Sequence, residues 1–170
     1  MTTHLRSLAT LVVLGLVLVI AAIWGWTAVS EPFPERDGPP VCVDREVARG
    51  DQVTRRDVTV SVWNAGTRVG LAGLTMDLLV DAGFHEGSEG NTPGKRRVAR
   101  AEIWTEEPGN PAVRLVASHL GNVQIVKRAD HAPGVLVVVG DGFDDLSAGR
   151  RAVTAQGEFS FCGRPRRAAG

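Results

Sequence analysis

Residues 60–84 read "VSVWNAGTRVGLAGLTMDLLVDAGF", and this stretch decides the fold. Val58, Val60 and Val62 alternate with Thr59, Ser61 and Trp63, which is the period of a strand. Leu71, Leu74, Leu78 and Leu79 then recur at helical spacing, and Gly83 ends that helix. Between the two periods lies Asn64-Ala65-Gly66-Thr67-Arg68-Val69-Gly70, with glycines, a hydroxyl and an arginine. A P-loop needs Gly-x-x-x-x-Gly-Lys-Ser/Thr, and here the glycine spacing is wrong and Leu71 stands where the lysine belongs. A dinucleotide fingerprint needs one glycine more. The loop still leads into a helix N-terminus, which favours anions. Asn64, Gly66, Thr67, Arg68 and Gly70 are therefore candidate binding residues for a phosphate or carboxylate. The competing reading is that Asn64 and Gly66 only shape the turn.

Downstream, the pattern continues as strand, strand, helix, strand, strand. A short strand around Phe84 runs into "EGSEGNTPGKRR", which reads as a long glycine-rich loop. "VARAEIWTE", 98–106, alternates as a strand. Asn110 caps a helix with Pro111 in its first position, Val113, Val116, Ala117 and Leu120 share a face, and Gly121 stops it. "NVQIVKR" is the next strand. "GVLVVVG", 134–140, is a continuous apolar run, as in a strand buried on both faces. The order βαββαβ(β) predicts an α/β two-layer sandwich over about residues 56–146.

The flanks place this domain. Residues 8–29 carry no charge and are long enough, at about 1.5 Å per residue, to span a hydrocarbon core of about 30 Å. Trp24 and Trp26 lie near the outer end, Arg6 precedes the run and Glu31, Glu35 and Asp37 follow it. That bias puts residues 1–7 in the cytoplasm and the rest outside. A cleaved signal peptide, with Ala28-Val29-Ser30 as its processing site, is the rival; the run exceeds the usual signal core, which favours an uncleaved single-pass anchor. Residues 30–55 read as a linker, proline-rich and then irregular. Residues 147–170 read as a tail that includes Cys162 and ends in a disordered "GRPRRAAG". The two cysteines, Cys42 and Cys162, suggest one disulfide in an oxidising compartment, against two buried free thiols.

The 170 residues carry 19 basic and 19 acidic side chains. That balance gives no field to steer nucleic acid. Asp141, Asp144 and Asp145 in "GDGFDDL" form a carboxylate cluster able in principle to hold a cation or act as acid and base. Its spacing misses the calcium-loop pattern, and a solvated turn is the competing reading, with Phe143 a core plug. Lys95, Arg96, Arg97 and Arg100 form a basic run entering a strand, a candidate contact for lipid headgroups or an anionic polymer, with a solvated hairpin as the competing reading. His85, His119 and His131 are scattered. No nucleophile–base pair stands out, so neither catalytic residues nor metal nor cofactor are expected.

The pieces together resemble the LytR C-terminal domain family of bacterial cell envelopes. Asn64, Ala65, Gly66, Gly70, Leu71, Ala72, Ala82, Gly83 and Phe84 fit its opening unit, "EIWTEE" its middle strand, "ASHLGNVQIV" its Leu-Gly step and "GVLVVVGDGF" its ending. A lone anchor followed by this module is also similar to actinobacterial envelope integrity proteins of the Cei type. The resemblance implies a non-catalytic, extracytoplasmic accessory protein that binds a wall polymer or an envelope-assembly protein. The catalytic domain that precedes this module in LytR proteins is too large for the space available. A SPOR-like peptidoglycan reader is the alternative binding module. An envelope enzyme built on Asp141, Asp144 and Asp145 is the alternative from another class. Oligomeric state is not legible.

Overall fold

The apolar run after Gly134 lies at the centre of a five-stranded sheet. The computed structural model describes residues 12–24, 41–94, 97–129 and 132–165. The chain divides into two compact units, Met1–Pro39 and Pro40–Gly170. In the first, residues 12–24 form a helix, α1. Among the described residues, no helix is long and apolar enough to cross a membrane. The remainder of the expected anchor, 8–11 and 25–29, lies outside the described residues.

The second unit contains β1 (Val43–Val47), β2 (Gln52–Thr54), a 3-10 turn (Arg55–Asp57), β3 (Thr59–Asn64), α2 (Leu71–Asp81), β4 (His85–Asn91), β5 (Ala101–Thr105), α3 (Pro111–Leu120), β6 (Gln124–Lys127), β7 (Val135–Val139), β8 (Ala152–Thr154) and β9 (Phe159–Gly163). The sheet order is β4-β3-β7-β5-β6. β3 runs parallel to β4 and β7, β5 parallel to β6, and β5 and β7 meet antiparallel. Each helix thus links two adjacent parallel strands, β3-α2-β4 and β5-α3-β6, and β7 joins the halves. All five residues of β7 are buried. Val135, Val137 and Val139 join the larger core with Leu71, Met76 and Leu79 of α2 and Val113, Val116 and Leu120 of α3. Leu136 and Val138 face the opposite way, with Trp104, Val98 and Ala65. The mixed α/β order read from the sequence is the one observed.

The helix ends follow local chemistry. At the end of α2, Gly83 takes φ +102, Gly83 N–H donates to Val80 O at 2.8 Å and Phe84 N–H to Leu79 O at 3.0 Å. That is a Schellman cap, and it turns Phe84 into the core. At the start of α3, Asn110 Oδ1 accepts from Ala112 N–H at 3.0 Å, while its Nδ2 donates to Ser160 O at 2.9 Å and Glu107 Oε2 at 3.1 Å. One side chain caps the helix and fastens β9. Asn110→Ala should cost about 1–2 kcal/mol, the upper end of the usual cap loss, because a bond to β9 goes with it. Chemical denaturation measures this; an unchanged midpoint would contradict it.

Three expectations need correction. The short strand expected around Phe84 continues through Asn91, so residues 86–91 are strand and not the start of a glycine-rich loop. β4 is a polar edge strand, and its glycine permits close approach to β3: a Cβ on Gly87 would lie 2.6 Å from Ser61 Oγ and 2.7 Å from Val60 O. The later part of the expected linker 30–55 is not irregular either, since it holds β1 and β2, and the chain after 147 is not a loose tail. β1 pairs antiparallel with β9, and β2 with β8. Val47, Val53, Val153, Ala155 and Phe161 join the larger core. The limits 56–146 therefore enclose the sheet and both core helices but leave out four strands. Of the tail "GRPRRAAG", Gly163 ends β9 and residues 166–170 lie outside the described residues. Cys42 and Cys162 form a disulfide, with Cα atoms 5.4 Å apart and a sequence separation of 120.

Residues 140–151 form a strap across the end of α3. Ser147 N–H donates to His119 O at 2.7 Å and Arg150 N–H to Ser118 Oγ at 3.0 Å. His119 Nε2 lies 3.0 Å from Arg150 O, which assigns its proton to Nε2. The ring is buried, edge-on to Phe84 at 5.1 Å. Burial holds its pKa below the ordinary 6.5; the Arg150 carbonyl opposes the shift and the Arg55 charge reinforces it. Below pH 6.5 the unfolded chain therefore takes up a proton before the folded chain does. Stability should fall as pH drops from 6.5 through the folded-state value, and His119→Gln should flatten that slope in denaturation series.

Candidate functional site

The loop between β3 and α2 is closed by its first residue. Asn64 Oδ1 accepts from Gly66 N–H at 2.8 Å, and Asn64 Nδ2 donates to Arg68 O at 2.7 Å. This is an Asx turn with a second bond that draws the far end of the loop back. Ala65 N–H continues the sheet by donating to Val139 O at 2.8 Å. Gly70, at φ +77, then opens α2.

The next amides do take a carboxylate, and it is the chain's own. Asp141, immediately after β7, points into the loop. Its Oδ1 accepts from Thr67 N–H at 2.6 Å and Arg68 N–H at 2.9 Å, and its Oδ2 from Thr67 Oγ at 3.0 Å. Arg68 reaches back, its Nη1 donating to Phe143 O at 2.9 Å and Asp141 O at 3.3 Å and standing 3.4 Å from Asp144 Oδ1. The sequence suggested an anion site in the loop and a carboxylate cluster after β7; the fold makes each the partner of the other. The Arg68 and Thr67 amides, with the Thr67 hydroxyl and the Arg68 charge, hold the Asp141 carboxyl below the usual carboxylate range. An acid held ionised by fixed donors is a poor proton donor near neutral pH.

Gly66 makes the arrangement possible. A Cβ there would fall 2.3 Å from Asp141 Oδ1 and 2.8 Å from the Asp141 backbone nitrogen. Gly66→Ala should therefore push Asp141 out of the loop and destabilise the domain by about 1–3 kcal/mol, the usual penalty of forced overpacking. Amide exchange at Thr67 and Arg68 should quicken in this variant. Unchanged exchange at both positions would mean that the carboxylate does not seat there.

The rest of the acidic cluster stays at the surface. Asp144 is 86% exposed in its side chain, so its contact with Arg68 adds little. Asp145 Oδ1 accepts from Leu146 N–H at 2.7 Å, a local turn bond. Phe143 is buried in the core, as its sequence context predicts. Among the described residues, no group of three or more His, Cys, Asp or Glu side chains is placed to hold a metal. The basic run divides. Arg100 is structural: its Nη1 donates to Leu120 O, its Nη2 to Asp145 O at 3.3 Å, and its guanidinium lies 5.4 Å from the Phe143 ring centre. Arg97 stays exposed, and Lys95, Arg96 and His131 lie outside the described residues.

Arg97 marks a feature that sequence reasoning missed. An open groove of about 710 Å³ runs between the β3–α2 loop and the far end of β4. Asn64, Gly66 and Thr67 line one wall, Asn91, Thr92, Gly94 and Arg97 the other. Thr92 N–H donates to Asn64 O at 3.0 Å and ties the walls together. The basic run was the only hint of this groove. Its amides come from a segment read as loop.

Residues 57–143 match the family described as "LytR cell envelope-related transcriptional attenuator". No curated protein matches the chain. Among solved structures, the soluble domain of a conserved hypothetical secreted protein from Mycobacterium marinum is similar at 24% identity and a TM-score of 0.48. The match covers 59% of this chain and 77% of that one.

Proposed function

The chain belongs to the LytR C-terminal family, a cell envelope-related domain, and on that premise we propose that it is a membrane-anchored, non-catalytic accessory protein that binds a wall polymer outside the cytoplasm. The observation that carries the reading is the seating of Asp141. Asp141, one of the three carboxylates of the acidic cluster, is a fixed acceptor for Thr67 and Arg68. It serves a rigid surface and not a reaction. The Cys42–Cys162 bridge supports an oxidising compartment. The uncharged run 8–29, whose inner portion 12–24 is helical, supports the single-pass anchor with residues 1–7 in the cytoplasm. The contact surface is the outer rim of the Asn64–Gly70 loop and the groove beside it.

The test is retention of the full-length chain on purified cell walls, before and after their anionic polymers are stripped. Retention that depends on the polymers supports the reading. Equal retention on stripped walls would instead favour a peptidoglycan reader. No retention on either would overturn wall binding and move the search to an envelope-assembly protein. Asp144→Asn with Asp145→Asn should leave retention and cell phenotype unchanged, and a lost phenotype with normal retention would revive the enzymatic alternative.

A further inference from the structure

We propose that the groove between the β3–α2 loop and the end of β4 is a site for an anionic, polyhydroxylated polymer, with Arg97 holding the charge and Asn91 and Thr92 the hydroxyls. This inference rests on the wall-binding reading and names the place and chemistry of the contact.

Three observations meet there. The first is the composition of the walls. The described lining has two carboxamides, two hydroxyls and one guanidinium, no carboxylate, and Ala65 as its sole apolar side chain. Such a surface suits a ligand that offers hydroxyls and a negative charge. It suits neither an apolar peptide nor a nucleic acid, for which no ring is offered to stack on a base.

The second is which donors are available. Asn64, Thr67 and Arg68 spend their polar groups on the loop and on Asp141, and Thr92 Oγ donates to Asn64 O at 3.4 Å, which leaves its lone pairs to accept from a ligand. Asn91 and Arg97, by contrast, are exposed, and among the described residues neither side chain is engaged in a hydrogen bond or ion pair. Both face the groove. The filled amides of the loop therefore redirect an incoming anion from Arg68 to Arg97.

The third is rigidity. One wall is fixed by Asn64 and Asp141, and the near end of the other, at Thr92, is tied to it through Thr92 N–H. A groove already shaped loses little conformational freedom on binding, so a few polar contacts suffice for a repeating ligand. Repetition along a polymer adds avidity that single contacts lack.

The experiment measures binding of the full-length chain, in detergent micelles at fixed low salt, to four probes. Polygalacturonate supplies carboxylates with hydroxyls, and poly(glycerol phosphate) supplies phosphodiesters with hydroxyls. Dextran is neutral, and poly-L-glutamate is anionic without hydroxyls. Binding to one or both of the first two is expected, with dextran and polyglutamate at least tenfold weaker. The arm that binds identifies the source of the charge. Arg97→Gln should weaken binding about tenfold and Asn91→Ala about threefold. Arg151→Gln removes the same charge from an exposed site elsewhere and should change binding less than twofold.

Equal loss in Arg97→Gln and Arg151→Gln would mean diffuse electrostatics and overturn the site. Tightest binding to polyglutamate would make the partner an acidic protein segment and overturn the ligand. If the wild-type chain is retained on whole walls but Arg97→Gln is retained equally, wall binding stands and the groove falls. If the wild-type chain binds neither walls nor any probe, both fall. Circular dichroism of each variant separates lost binding from lost fold; all three substituted side chains are exposed, so the fold should be intact.

Discussion

Replacing Cys42 and Cys162 together by serine should produce the largest loss of stability short of a broken core. The bridge spans 120 residues. In the chain-entropy account, a crosslink of that span restricts the unfolded chain by roughly 5 kcal/mol, and measured values usually fall below that figure. For a domain of this size the expected shift in unfolding temperature is on the order of 10 °C. The folded state changes less. β1 and β9 keep their ladder from Val43↔Gly163 to Val47↔Phe159, and Val47 and Phe161 still pack on the core. Amide exchange in the serine variant should therefore rise first in β1 and β9 and leave β3 and β7 protected. Thermal denaturation of oxidised and reduced protein reads the first effect and exchange the second. A midpoint that ignores reductant would show that the bridge constrains nothing.

Phe143→Ala is expected to cost about 3–5 kcal/mol, the range for removing a fully buried aromatic side chain. Phe143 is 1% exposed and belongs to the core cluster that also contains residues of both helices. It also sits where two arginines converge. Its carbonyl accepts from Arg68, and its ring lies beneath Arg100. Emptying the position should loosen the turn that carries Asp141 and, with it, the loop closed by Asn64. Phe143→Leu, which leaves most of the volume, should cost clearly less. Denaturant titration separates the two: a lower midpoint at unchanged slope marks lost packing, whereas a changed slope marks a different unfolded or native ensemble. A loss under 1 kcal/mol for the alanine variant would mean that Phe143 does not plug the core.

What could be read from the chain alone depended on whether its cause was local. β3, α2 and α3 were legible because their apolar residues recur with the period of the element, β7 because burial on both faces leaves an unbroken apolar run, and the caps at Gly83 and Asn110 announce themselves by residue type. β4 was not. It lies at the sheet edge, its seven residues include no apolar side chain that could show a period, and Gly87 serves the closeness of β3 and carries no pattern of its own. β1, β2, β8 and β9 were missed for a different reason. Each has three to five residues and finds its partner across about a hundred residues of sequence, so nothing nearby signals the pairing. The cysteines were the one clue that the two termini meet.

The candidate site divides in the same way. Asn64 and Gly66 were readable as a turn, because that turn is made within four residues. That the turn holds Asp141 was not readable, since 74 residues separate Asp141 from Thr67. Two weak signals, a loop that resembles an anion site and an acidic cluster that resembles a catalytic pair, were one contact seen from both ends. The remaining groove, hinted at only by the basic run, took shape once β4 was known to be a strand.

The position of the disulfide also governs how the domain bears a load. Cys42 precedes the first rung of the β1–β9 ladder, and Cys162 lies beside its partner Gly163 at that same end. Tension arriving along the chain from the N-terminal side would otherwise peel β1 away one rung at a time, the weakest way to pull two strands apart. Here it meets a covalent bond before any hydrogen bond and passes directly to β9. The domain has a clasp at the point where a tether would tug.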